Sequence, residues 1–77
     1  MKKYRQKDIK DFVRTNLAED ITGYGFDKMK EFLHSHSLEK IGYSAGIYGI
    51  NGGLLRDINT GKLYVITARN TALAMAF

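Results

Sequence analysis

The 77-residue chain has no cysteine, no proline and no tryptophan. Without cysteine it has neither a disulfide nor a cysteine-based metal site to supplement its core, and it suits a reducing compartment; a cytoplasmic location is expected. No apolar run approaches the roughly 18 residues that would span a bilayer, which excludes a membrane helix. The basic start (Lys2, Lys3, Arg5, Lys7) is interrupted by Asp8, Lys10 and Asp11 rather than followed by an apolar stretch, so no secretory signal is read there. Acidic side chains are scarce in the second half: only Asp57 lies beyond Lys40.

What is present belongs to one small domain, 1–77, too short for a typical two-domain enzyme. Hydrophobic residues make up 44% and charged residues 26%, which argues against wholesale disorder. The net charge is +4, and residues 1–14 account for all of it, with six basic side chains against Asp8 and Asp11. Such a local excess suits phosphate or an acidic partner surface; its bland counterpart is a solvated lysine-rich helix face.

Periodicity divides the chain near Lys40 into a helical first half and a sheet-forming second half. Ile9, Phe12, Val13, Leu17 and Ile21 form one helical stripe, which predicts a first helix over about 3–21 that begins near Lys3 or, with Asp8 as an N-cap, at Asp8. Phe26, Met29, Phe32, Leu33 and His36 predict a second over about 27–37. The short connection implies an antiparallel helical hairpin. After Lys40 the period becomes two. Asn51-Gly52 signals a tight hairpin turn, and Asn59-Thr60-Gly61 a second turn with Gly61 left-handed. The expected fold is α+β: a two-helix N-terminal hairpin packed on an antiparallel β-meander of three or four strands, with the sheet over about 41–68. Residues 71–77 alternate like a strand, yet Ala, Leu and Met behind Thr71 also suit a short helix.

The turns imply pairings of Ile50 with Gly53, Tyr48 with Leu55, and Leu55 with Val65. One sheet face then carries Ile41, Tyr43, Leu54, Tyr64 and Ile66. The other carries Tyr48, Ile50, Leu55, Leu63 and Val65. Two stacked helices cover one face, which leaves the second for the tail, another copy or a partner. Those five residues are therefore a candidate interface.

Several short motifs fail on context. Gly23-Tyr24-Gly25-Phe26 matches the middle of an RNA-recognition octamer, but Thr22 and Asp27 stand where a basic residue and valine belong, and helices flank it. Gly46-Ile47-Tyr48-Gly49 sits in a strand rather than between two helices. Gly61-Lys62 lacks the following Ser or Thr of a phosphate loop. His34 and His36 point roughly 200° apart on a helix, so no shared metal is expected, and no cofactor. Ser35, Ser37 and Ser44 occupy no nucleophile elbow, and no carboxylates pair in an evident cleft; a non-enzyme is expected.

The chemistry-bearing feature is a basic column. Lys3, Lys7, Lys10 and Arg14 recur at spacings of four, three and four, so a helix beginning near Lys3 aligns them. Like charges one turn apart cost a few tenths of a kcal/mol each, and a phosphate backbone offers a use for them. Arg56 and Arg69 are further polar contacts, Arg56 either pairing with an acidic residue or stacking with Tyr43 and Tyr64. The reading is a small non-catalytic protein acting through protein–protein contacts, including self-association as a homodimer, with no small-molecule substrate. The alternative is a nucleic-acid-binding regulator using the basic first helix. A further alternative is a phage or mobile-element inhibitor of a host defence protein, though positive charge argues against DNA mimicry.

Overall fold

The computed structural model describes residues 2–47, 50–67 and 70, with the backbone alone at 45–47, 50 and 51. Among the described residues the elements follow in the order β1 (Lys2–Lys3), α1 (Gln6–Arg14), β2 (Ala18–Asp20), α2 (Phe26–Ser35), β3 (Leu38–Ile47), β4 (Ile50–Asp57) and β5 (Leu63–Thr67). They build one mixed sheet in the order β1-β3-β4-β5-β2. β3, β4 and β5 form the expected antiparallel meander. The two edges are parallel additions, β1 on β3 and β2 on β5. The fold is α+β, but the helices are not a hairpin, and the sheet is not purely antiparallel.

The reason lies at the end of α1. The Leu17 N–H donates to Phe12 O at 2.8 Å, and the Asn16 N–H donates to Val13 O at 3.1 Å. This pair of bonds closes a helix when the next residue turns left-handed, and Asn16 does so at φ 62°. The chain then runs extended. Ala18 faces the α1 side of the sheet and Ile21 the α2 side, and both are buried. Leu17, assigned to the helical stripe, is instead largely exposed.

β1-α1-β2 crosses the sheet from one edge to the other, and β2-α2-β3 returns. Crossovers of the same hand running in opposite directions place their helices on opposite faces. Ile9 of α1 packs with Ala18, Leu54 and Val65, and Tyr4, Phe12, Val13, Ile41 and Leu63 surround them. Met29 and Phe32 of α2 pack with Ile21, Leu55 and Tyr64 on the other face, joined by Tyr24, Leu33, Leu38 and Ile66. Each apolar sheet face therefore has its own helix.

The register shows why the expected faces were wrong. Leu54, not Leu55, lies opposite Val65, and Leu55 lies opposite Tyr64. A slip of one residue moves a side chain to the other face. Leu55 consequently parts company with Leu63 and Val65, and both Leu55 and Val65 are buried. Asn51 and Gly52 lie inside β4, because Ile47 pairs with Ile50. Between β4 and β5, Gly61 does adopt a left-handed φ of 75°. Buried Asp57 accepts the N–H groups of Asn59 and Thr60 at 2.8 and 3.1 Å and so shapes that turn.

Candidate functional site

The basic segment starts with Lys2 and Lys3, which pair with Gly42 and Tyr43 of β3. The next residue turns inward. The Tyr4 ring lies over Gly42, where a Cβ would sit 2.2 Å from Cε2, and it meets the Phe12 ring edge-on at 5.7 Å. This packing needs glycine at 42 and commits Tyr4 to the core side.

α1 then begins at Gln6 with Arg5 as its N-cap. Asp8 sits in the first turn rather than at the cap. Its carboxylate reaches back to the Arg5 N–H at 3.4 Å and holds the guanidinium with two contacts of 3.2 Å. These bonds favour both charged forms, lowering the Asp8 carboxyl below the usual aspartate value and raising Arg5. Asp11 pairs with Arg14 at 3.4 Å. Both ion pairs are solvent-exposed, so they orient side chains more than they stabilise the fold.

With Ile9, Phe12 and Val13 turned to the sheet, Lys7, Lys10 and Arg14 take the outward side and are exposed. At 3.6 residues per turn they fall within roughly 60° of the helix circumference. Lys3 is not in this column. It lies on β1, before the helix begins, so the expected four-residue row is a three-residue row with a basic strand beside it. The surface is a row of cations standing on a helix whose inner side is locked into an aliphatic cluster.

The other expected contacts scatter. Arg56 lies opposite Glu39 in the β3–β4 register and pairs with it, the guanidinium Nε 2.8 Å from the carboxylate; no stacking with Tyr43 or Tyr64 is needed to account for it. Leu55, Leu63 and Val65 belong to the two clusters under the helices. The Ile50 backbone is in β4, whereas Tyr48 and Arg69 fall outside the described residues, as does the 71–77 segment. Among the described residues, no three His, Asp or Glu side chains gather in a way that would hold a metal ion. Nor is any described helix long and apolar enough to cross a membrane.

Two features escaped the sequence reading. On the α2 side, Tyr24, Phe32, His36 and Tyr64 form an aromatic cluster, with His36 stacked on Phe32 at 4.3 Å. A shallow groove of about 200 Å³ runs along it, lined by Tyr24, Lys28, Glu31, Phe32, Ser35 and His36. The His36 Nδ1 lies 2.8 Å from Phe32 O, at the helix terminus where carbonyls lack internal donors. The second feature is Asn70, which is buried. Its Oδ1 accepts from the Thr67 N–H at 2.9 Å, and its Nδ2 donates to Ile21 O and Thr22 O at 3.5 and 3.4 Å. It ties the end of β5 to the loop before α2. Helix spacing signals the aromatic stripe, but nothing local signals so distant a partner for Asn70.

Compared with known proteins, the chain matches no family model, no curated protein and no solved structure.

Proposed function

We propose that this chain is a small binding protein that docks a negatively charged partner on the outward face of α1. One observation carries the reading: the whole net charge of +4 arises within residues 1–14, and Lys7, Lys10 and Arg14 of that segment stand exposed on one side of a buried-backed helix. A fixed scaffold presenting clustered cations concentrates anionic partners around it. Because each sheet face carries its own helix, a partner surface on Leu55, Leu63 and Val65 has lost its geometric basis, and the contact moves to the helix exterior.

The test compares two charge reversals of equal size. Lys7→Glu/Lys10→Glu alters α1, and Lys28→Glu/Lys30→Glu alters exposed positions of α2. Retention on immobilised heparin is measured against a salt gradient, with circular dichroism confirming the fold. The α1 variant is expected to elute at less than half the salt concentration of the parent, and the α2 variant close to the parent. Equal losses in both would reduce the effect to net charge and overturn the reading.

A further inference from the structure

We infer that the anionic partner of α1 is the phosphate backbone of duplex nucleic acid, held without regard to sequence. This inference rests on the α1 reading and narrows it to one class of partner.

The composition of the outward surface makes the choice. Gln6, Lys7, Asp8, Lys10, Asp11 and Arg14 are its exposed or partly exposed polar residues, and none of its outward positions is apolar. Protein interfaces draw their energy from apolar or aromatic anchors at a dry centre, with charges confined to the rim. The large exposed apolar side chains of the described residues are Leu17, Phe26, Tyr43 and Ile58, and all lie off α1. A phosphate backbone needs no such anchor. Lys and Arg side chains replace its condensed counterions, and the gain is largely entropic release of salt.

Duplex is favoured over single strand by where the aromatics sit. Single-strand binders stack bases on exposed rings. The two rings nearest this surface, Tyr4 and Phe12, are packed against each other and into the aliphatic cluster beneath the helix. They are not offered to a base. Sequence readout is poorly equipped. It relies chiefly on bidentate Arg–guanine and Asn– or Gln–adenine contacts, and this surface offers one of each kind at opposite ends of the helix, Arg14 at its last position and half-buried Gln6 at its first. The cations recur about every 4.5–6 Å along the helix axis, while one strand of a duplex offers a phosphate about every 3.4 Å of rise. Mobile lysine stems absorb that mismatch, so backbone contact needs no particular register.

The experiment is fluorescence anisotropy of two labelled duplex DNAs of unrelated sequence, each about 20 base pairs, from about 50 to 200 mM salt. Three phosphate contacts give a slope of log affinity against log salt near −2.7, with the two duplexes bound within about twofold of each other. Lys7→Glu/Lys10→Glu should lower the slope magnitude by about two, while Lys28→Glu/Lys30→Glu leaves it unchanged. Lys7→Gln/Lys10→Gln, which removes charge without adding repulsion, should give the same loss of slope. A preference above tenfold for one sequence, or tighter binding of the matching single strand, overturns the inference. So does duplex affinity no greater than that for poly-glutamate of equal charge. In that last case α1-dependent heparin retention still stands and the partner is an acidic protein. If heparin retention is also independent of α1, the broader reading falls with it.

Discussion

The two layers that sandwich the sheet solve one packing problem with different materials. Under α1 the cluster is largely aliphatic, built on Ile9, Ala18, Leu54 and Val65. Under α2 it is aromatic, with Phe32 and Tyr64 in edge contact and His36 and Tyr24 completing the set. Their exteriors differ more. α2 mixes Asp27, Lys28, Lys30 and Glu31, so its charges cancel, whereas the chain through the end of α1 holds the entire net excess. Core formation requires only the inner stripe of each helix. The outer stripe is left to other demands: α1's sums to +1, and Lys2, Lys3 and Arg5 just before the helix supply the other +3 of the excess.

The largest way to break this comparison is to remove one layer's purchase on the sheet. Val65→Asp buries a carboxylate against α1, and Leu55→Asp buries one against α2. Each site is almost inaccessible. An unpaired charge there costs several kcal/mol, comparable to a small domain's whole stability. Both variants are expected to lose their cooperative thermal transition by circular dichroism. A Leu55→Asp chain that folds normally would return that residue to the surface and separate the two layers in kind.

A smaller effect separates the layers through their glycines. At Gly42, on the α1 side, an added Cβ meets the Tyr4 ring at 2.2 Å, hemmed by backbone at 3.0 Å. At Gly53, on the α2 side, the nearest atom is the flexible Lys40 Cε at 2.9 Å. Gly42→Ala should cost about 1–3 kcal/mol in urea denaturation, as overpacking does, and Gly53→Ala distinctly less. Tyr4→Ala in the Gly42→Ala background should recover part of the loss; no recovery would mean that the ring is not what resists.

The smallest effect is acid sensitivity at the start of α1. Asp8 is held below its ordinary value by Arg5, so its contribution is present above the unfolded aspartate pKa and is lost as pH falls through the lower folded value. Asp8→Asn should remove that acid-side step from an α-helix signal titrated by circular dichroism, while leaving α2's share in place. An unchanged acid limb would assign the step to other carboxylates.

Much of this architecture was legible, and its failures have specific causes. α2 lies within two residues of its expected span because five apolar positions repeat with one period. The three meander strands follow from alternation and from Gly61. β1 and β2 were invisible because two- and three-residue strands offer no periodicity to detect. Leu17 and Ile21 continue the spacing of Ile9 and Val13, so periodicity alone carries the helix past Asn16. Asn51-Gly52 carries the strongest local turn signal, yet the register on β3 absorbs it into a strand, an instance of tertiary pairing overriding local preference. For the basic row, Lys7, Lys10 and Arg14 were readable from spacing alone. Lys3 was lost because it is drawn into β1 beside Tyr43, and the helix begins only at Gln6, after the Arg5 cap.

The placement of β1 and β2 at opposite edges has a consequence for synthesis. Lys2 finds its partner at Gly42, and Ala18 finds its partner at Leu63. A ribosome delivers both outer strands before the strands they must flank exist. Until β3 and β5 emerge, α1 holds its apolar stripe with no sheet to receive it. The meander assembles from near neighbours, and the early segment then closes around it from both sides at a greater loop-closure cost. β1 and β2 are thus made before the strands they flank, and the basic surface acquires its rigid backing only when the sheet is complete.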